Sequence, residues 1–232
     1  MSIAISSACL HRLPQYMKVL GRLLDAGQRN VTSAELAREL KLDETLVRKD
    51  LSGIGFSGKP RVGFDVALLL AHLEEYLGLH NSKEAFLIGA GRLGQALADY
   101  PGFEKYGLRI IALFDNDPKK IGQLVHACEV LPLAKAPELA RRLNVRIAIL
   151  TVPASVAQEV AEVLAEAGIL AFWNFSGHTL KLPAPIIVHN EDLAESLAIL
   201  SHRLTQLFAV DTVESAELGN DSNTGTEYHE HK

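Results

Sequence analysis

The stretch that decides the fold is Glu84 to Asp117, EAFLIGAGRLGQALADYPGFEKYGLRIIALFDND. Its opening apolar run, Ala85-Phe86-Leu87-Ile88, reads as a buried strand. Gly89-Ala90-Gly91-Arg92-Leu93-Gly94 follows at once and leads into a helical pattern through Tyr100. A second apolar strand, Leu108 to Phe114, ends in Asp115. Each glycine has a mechanical task in such an array. Gly89 makes the tight turn, Gly91 lets backbone approach a pyrophosphate, and Gly94 lets the helix pack closely on the strand. The helix N-terminus offers N–H groups and the positive end of a dipole to phosphates. Asp115 lies roughly twenty residues past the glycines, where a carboxylate takes the ribose hydroxyls of an adenosine. Strand, helix, second strand and terminal acid in register predict a dinucleotide site. The acid favours NAD over NADP, because a 2′-phosphate beside Asp115 is repelled, and Asn116 rather than an arginine follows it.

Beyond Asp117 the alternation continues. Val125 to Val130 is a weak strand candidate, and Pro137 to Leu143 has a helical pattern. Val145 to Leu150 is a strong buried strand ending in Thr151-Val152-Pro153, followed by an amphipathic helix over Ala154 to Ala167. Gly168 ends that helix, Ile169 to Phe175 reads as another strand, and Ile186 to His189 as the last. Such alternation predicts a doubly wound parallel sheet, whose ligand lies beyond the carboxyl ends of the strands. Gly89, Asp115, Thr151, Val152, Pro153, Asn174 and Phe175 all fall at those ends and are expected to line one cleft. Glu191 to Phe208 is a final helix with apolar residues at Leu193, Leu197, Leu200, Leu204 and Leu207, a stripe suited to packing on another element or another subunit. Residues 211–232 hold six acids and one lysine and read as a disordered acidic tail.

Before the central stretch lies a different pattern. Residues 12–25, RLPQYMKVLGRLLD, carry the stripe of an amphipathic helix, with Pro14 expected in its first turn. Thr32-Ser33-Ala34-Glu35 is a capping box that starts a short helix through Leu40. Lys41-Leu42 makes a tight turn, and Asp43 is the N-cap of a third helix through about Ile54. This is a helix-turn-helix. On its third helix Val47, Leu51 and Ile54 face one way, while Thr45, Arg48, Lys49 and Ser52 face the other. Two cations between two hydroxyls suit phosphate and base-edge contacts, and this helix is where a major-groove reader belongs. Gly55 to Phe64 reads as a glycine-rich β-hairpin wing with Lys59 and Arg61 at its tip, able to reach a minor groove. From Arg48 to Arg61 the local charge is +3, in a chain whose net charge is −5. Val66 to Leu79 is an apolar helix joining the domains, and Gly78 to Lys83 is the boundary.

The chain has 232 residues, 48% hydrophobic and 22% charged, as in an ordinary soluble protein. Cys9 and Cys128 form neither a CxxC motif nor a disulfide framework, which suits a reducing cytoplasm and a role as small buried residues. No apolar run is long enough to span a bilayer, no signal-peptide pattern opens the chain, and no histidine spacing suggests a metal site.

A winged helix ahead of a dinucleotide-binding sheet is an unusual order. Arg12-Leu13-Pro14-Gln15-Tyr16, Val47-Arg48-Lys49-Asp50-Leu51-Ser52, Gly89 to Gly94 with Ala98-Asp99-Tyr100-Pro101-Gly102-Phe103, Phe114-Asp115-Asn116-Asp117-Pro118, Val152-Pro153-Ala154 and Asn174-Phe175 resemble the Rex family of redox-sensing transcriptional repressors. The resemblance runs from about Ser6 to Phe208. It implies an α/β protein with a winged-helix domain over residues 1–80, a Rossmann-like NAD(H)-binding domain over 81–190, a domain-swapped dimer helix over 191–209 and a tail over 210–232. It implies a homodimer that holds an AT-rich palindromic operator when NADH is scarce and releases it when NADH binds. It also implies a hydrogen-bonded switch of Lys18, Tyr100 and Asp192. Lys18 stands where arginine is expected, which keeps the charge and loses the planar fork. In the wing Pro60-Arg61 replaces Arg-Gly and Phe64 replaces tyrosine, and Leu46 replaces a polar residue on the recognition helix.

Two other classes fit parts of the chain. An NAD-dependent dehydrogenase needs an acid or base beside the nicotinamide and room for a second substrate, for which only Tyr100 and His178 offer groups and no substrate domain is evident. An NADH sensor acting through a protein partner is opposed by the Arg48–Lys49 face.

Overall fold

The structure, a computed structural model, describes residues 5–79, 83–126, 128–192, 194–195 and 197–206. The chain divides into two units, Met1–Glu84 with Tyr100–Arg109, and Ala85–Asp99 with Ile110–Lys232. The segment beginning at Tyr100 thus groups with the first unit, although a single boundary near residue 80 was expected.

The first unit opens with α1 (Ser7–Asp25), which starts a turn and a half earlier than its apolar stripe suggested. The Ser6 hydroxyl accepts from the Cys9 amide at 3.2 Å and supplies the cap, while Cys9 and Leu13 extend the buried face. Pro14 therefore lies inside the helix rather than in its first turn. The lost N–H would have met the carbonyl of Leu10, an exposed residue whose oxygen water can satisfy. The strand β1 (Asn30–Val31), not anticipated from sequence, leads into α2 (Ser33–Leu40). Thr32 and Glu35 close the expected capping box, and Lys41 ends α2 in the left-handed conformation at φ 55°. Asp43 caps α3 (Glu44–Gly53) by accepting from the amides of Thr45 at 2.7 Å and Leu46 at 3.2 Å.

The wing differs from the expected hairpin. Within Gly55 to Phe64 only one bridge forms, Lys59 to Gly63, with Arg61 at φ 62° in the turn between them. Its base, β2 (Phe64–Asp65), pairs antiparallel with β1 instead. Pro60 donates no hydrogen bond and the glycines cost backbone entropy, so the short wing cannot sustain its own ladder. Asp65 caps α4 (Val66–Tyr76), which ends before the expected Leu79. Leu13, Tyr16, Leu20, Leu36, Val47, Leu51, Leu69 and Leu73 form the fully buried centre of this unit.

The second unit is built on a sheet of seven strands in the order β5-β6-β4-β3-β7-β8-β9. These are β3 (Lys83–Ile88), β4 (Leu108–Asp115), β5 (Leu124–Val125), β6 (Cys128–Pro132), β7 (Ile147–Leu150), β8 (Ala171–Asn174) and β9 (Ile187–Asn190). The pairs β3–β7, β4–β6, β7–β8 and β8–β9 are parallel, and the edge pair β5–β6 is an antiparallel hairpin. The weak candidate at Val125 to Val130 is therefore that hairpin. The helices are α5 (Arg92–Ala98), α6 (Ala136–Leu143) and α7 (Ala154–Glu166). Leaving aside the hairpin strand β5, the order is the 3-2-1-4-5-6 of a dinucleotide-binding sheet, with the chain switching direction between β3 and β7. Its core is the buried faces of Phe86, Ile88, Phe114, Ala148, Leu150, Ala157, Ala161 and Phe172. Residues 194–195 and 197–206 are helical and exposed, Leu197, Leu200 and Leu204 included. Leu193, Leu207, Phe208 and the acidic tail lie outside the described residues.

Candidate nucleotide cleft and nucleic-acid face

The switch point between β3 and β7 is closed by a small set of backbone and hydroxyl contacts. Thr151, the first residue after β7, donates its hydroxyl to the carbonyl of Gly89 at 2.7 Å, and its amide donates to Ile88 at 2.8 Å. Gly89 adopts φ 102°, and a Cβ there would lie 2.8 Å from the Thr151 carbonyl oxygen. A Cβ on Gly94 would come within 2.0 Å of the Gly89 oxygen, so α5 packs against this turn only because position 94 is glycine. Gly91 is different, because a Cβ there would meet no protein atom within 4 Å. It is the N-cap of α5 with no side-chain cap, leaving the first amides of the helix to a ligand.

Above this loop lies a cleft of about 980 Å³, lined by Gly89, Gly91, Asp115, Thr151, Val152 and Pro153 among others. That volume is of the size that holds a large organic ligand. The open space over Gly91, the uncapped helix and the acid at the end of β4 fit a dinucleotide. Ala90 and Gly94 are buried in the packing of the loop, while Arg92 and Leu93 are exposed on the first turn of α5.

Asp115 is more constrained than an isolated ribose ligand would be. It is 7% exposed. Its Oδ2 accepts from the amide of Ala90 at 2.8 Å and the ammonium of Lys120 at 2.9 Å, and its Oδ1 accepts from the amide of Asp117 at 2.9 Å. Burial opposes its ionisation, but these donors outweigh burial and hold the carboxyl below the usual carboxylate range. These bonds leave one acceptor position of Oδ1 and two N–H groups of Lys120, and both residues line the cleft. Lys120 was missed from sequence, since only the turn over Asp117 to Lys120 brings it back onto Asp115. Leu133, Pro137, Val156 and Val160 were missed too, and they supply an apolar wall. Val156, Val160 and Val163 recur on one face of α7, a signal that was present in the sequence.

Asn174 does not line this cleft. It is 1% exposed and fully occupied inside the protein. Its Nδ2 donates to the His178 carbonyl at 2.6 Å and to Asn190 Oδ1 at 2.8 Å, while its Oδ1 accepts from the Ser176 amide at 3.1 Å and hydroxyl at 2.7 Å. A side-chain amide has four such positions, so nothing remains for a ligand. Its work is to shape the turn after β8 and tie that turn to β9. Phe175, half-buried, packs on Trp173 with ring centroids 5.0 Å apart and the rings tilted by 48°, and also stands outside the cleft lining.

In the first unit Thr45, Arg48, Lys49, Ser52, Lys59 and Arg61 are all exposed. Arg48, Ser52, Lys59 and Arg61 line one shallow cleft of about 470 Å³ between α3 and the wing, with Thr32 and Ser33 at its edge. Lys49 and Thr45 lie outside it. Arg48 shares its charge with Glu44 at 3.5 Å, and the Ser52 hydroxyl donates to the Lys49 carbonyl at 3.0 Å. Asp50, which enters the +3 local charge of Arg48 to Arg61, is buried and paired with Arg12. Lys18 is exposed on α1. Tyr100 is exposed and meets Phe103 edge-on at 5.0 Å. The Asp192 Oδ1 accepts from the Ala194 amide at 2.8 Å, the geometry of a helix cap. Cys9 is buried, and burial followed by the nearby Asp50 pushes its thiol up to about 11. Among the described residues no cluster of His, Cys, Asp or Glu could hold a metal, and no helix is long and apolar enough to cross a membrane.

Comparison with known proteins finds two family models on the chain. A putative DNA-binding protein N-terminus matches residues 4–52 and a CoA binding domain matches residues 80–178. A redox-sensing transcriptional repressor Rex of Treponema denticola is 40% identical over 191 residues, 82% of this chain and 91% of the relative. Among solved structures, RSP in complex with β-NAD+ and operator DNA matches with a TM-score of 0.84 and 33% identity, covering 91% of this chain and 98% of that one. RSP in complex with β-NADH matches with a TM-score of 0.83 and 34% identity, covering 90% and 98%.

Proposed function

The chain belongs to the Rex family of redox-sensing transcriptional repressors, and from that premise we propose that it reads the NADH/NAD+ ratio and passes it to an operator. The protein acts in the cytoplasm as a homodimer, binds an AT-rich palindrome when NADH is low, and releases it when NADH binds. The observation that carries this reading is the pairing, in one chain, of the cleft over Gly91 with the cationic cleft between α3 and the wing. Relatives solved with NADH and with NAD+ plus operator DNA support both halves. The family consists of repressors rather than enzymes, which disfavours a dehydrogenase. The exposed Arg48, Lys49, Lys59 and Arg61 disfavour a purely protein-directed sensor.

The adenosine half of the ligand lies on the apolar wall of Leu133, Pro137, Val156 and Val160, with its ribose against Asp115 and Lys120 and its pyrophosphate over Gly91 and the first amides of α5. NAD+ carries a positive nicotinamide ring and NADH a neutral one, and this difference in charge is a signal the site can read. An apolar surround penalises the charged ring through desolvation. Phe175, which stands outside the cleft lining beside Gly91, is the residue proposed for such a wall at the nicotinamide end, and Leu193 lies outside the described residues. Asp192 is the carboxylate that either pairs with Lys18 or compensates the oxidised ring. A charge pair at 4 Å and an effective dielectric near 20 is of order 4 kcal/mol before desolvation. A net difference of about 1.4 kcal/mol already gives a tenfold preference. The two ligands must favour different dimer arrangements, since equal affinity for both shifts nothing.

The test is a gel shift of an AT-rich palindromic duplex with and without NADH. Retardation that NADH abolishes supports the reading. Retardation that NADH leaves unchanged, or none at all, overturns it.

A further inference from the structure

The inward face of α3 carries something that packing alone does not call for. Val47 and Leu51 are fully buried there and Ile54 nearly so, as an apolar anchor requires. Asp50 points the same way and is 4% exposed, the one buried charged residue among the described residues of its unit. Arg12 on α1 meets it as a planar fork, Nε to Oδ2 at 2.6 Å and Nη2 to Oδ1 at 2.7 Å. Tyr16, one turn further along α1, donates its hydroxyl to Oδ2 at 2.8 Å. Burial works against the Asp50 anion, but Arg12 and Tyr16 outweigh it and keep the carboxylate ionised.

A buried ion pair of this kind adds little to stability, and well-packed apolar residues of similar volume often serve as well or better. Its distinctive property is direction. Hydrophobic contact is non-directional and lets a short helix roll about its axis. A bidentate guanidinium with a third hydrogen bond fixes one rotation. The outer face of the same helix holds Arg48, Lys49 and Ser52 beside Asp50 in sequence. Helix side chains sit roughly 5–6 Å from the axis, so a roll of about 20° moves a reading atom by about 2 Å. That is enough to break a hydrogen bond to a base edge, while a cation still finds a phosphate.

We propose that Arg12, Tyr16 and Asp50 are positioning residues that fix the rotation of α3, and with it the aim of Arg48, Lys49 and Ser52 at base edges. This rests on the reading of α3 as the DNA-recognition helix. The network sets sequence discrimination rather than DNA affinity as such.

The experiment compares full-length wild type with the double variant Arg12→Met/Asp50→Leu, which removes both charges together and leaves no unpaired ion. Melting temperature, NADH affinity, and affinity for an AT-rich palindromic duplex and for a random duplex of equal length are measured. The expected result is unchanged NADH affinity in a folded protein, with the melting temperature lowered by a few degrees at most because the buried Tyr16 hydroxyl loses its acceptor. Palindrome affinity should fall about tenfold and random-duplex affinity less than twofold, so the ratio collapses. A folded double variant that keeps the wild-type ratio overturns the proposal. If the double variant does not fold, Tyr16→Phe decides, because it deletes one hydroxyl from the network. A ratio lowered about threefold at unchanged NADH affinity supports the proposal, and a wild-type ratio overturns it. If wild type itself does not prefer the palindrome, the reading of α3 fails and the proposal falls with it.

Discussion

At the scale of single residues, Asp115 and Lys120 carry the most specific expectation. In the proposed binding mode their contacts serve the adenosine half, which NADH and NAD+ share. Replacing Lys120 with Met removes a charge-assisted hydrogen bond, a contribution of about 1.5–3 kcal/mol. Both ligands should bind tenfold or more weakly by calorimetry, with their ratio unchanged. A change in the ratio would place Lys120 near the nicotinamide instead. Asp115 also makes a pH prediction. Its folded-state pKa is depressed by Asp117, Lys120 and Ala90 against the opposing effect of burial. The stability it contributes is therefore present above the unfolded value of about 4 and is lost as pH falls through the folded one. Asp115→Asn should flatten the fall in melting temperature below about pH 4. A slope equal to wild type there would mean that the carboxylate is not held as described. The identity of Asp115 was legible at the end of an apolar strand. That its charge is shared with Lys120 was not, because the turn over Asp117 to Lys120 closes only in three dimensions.

At the scale of elements, the proposed DNA contact is divided between α3 and the wing. Arg48 lines the cleft between them, and Lys49 stands outside it. Lys49→Ala should lower the salt slope of operator binding by about one unit, as loss of one phosphate contact does. Arg48→Ala should weaken operator binding and relax specificity at one position. NADH affinity should stay at wild-type level in both, and unchanged DNA affinity in both would argue for a protein partner. The caps and periodicities of α2, α3 and α7 were readable in advance because they are local. Thr32, Asp43 and Gly168 act on amides or turns within a few residues of themselves. The turn of the wing at Lys59 to Gly63 was legible, but the pairing of its base β2 with β1, more than thirty residues away, was not, because no local pattern announces such a partner.

At the scale of the whole molecule, the proposed switch depends on a second copy of the chain. Leu197, Leu200 and Leu204 stand exposed on the helical residues 197–206, a stripe that a dimer partner would cover. Leu197→Glu with Leu204→Glu should leave a monomer by analytical ultracentrifugation and abolish palindrome binding. A dimer that persists would move the interface elsewhere. Asp192 already caps the start of this helix, and a cap is worth about 1 kcal/mol. A cap does not couple two sites. Asp192→Ala should remain a folded dimer that binds NADH, but NADH should change its DNA affinity much less than in wild type. If the variant only melts earlier, with its NADH response intact, Asp192 is a cap and the switch lies elsewhere.

The sequence by itself determined the two modules, their order, the phosphate loop and the cationic face of α3, because each rests on spacing along the chain. Gly89, Gly91 and Gly94 announce a turn, a gap and a close contact through the absence of a Cβ, which is a local property. Only the tertiary structure decided the roles of the buried polar groups. Asn174 looked like a cleft residue because it ends a strand, yet four hydrogen bonds with Ser176, His178 and Asn190 consume it. Asp50 entered the sequence reading only through the +3 local charge of Arg48 to Arg61, yet α1 brings Arg12 and Tyr16 onto it across more than thirty residues. A polar side chain buried without partners is costly, so where it ends up depends on which distant donors the fold delivers.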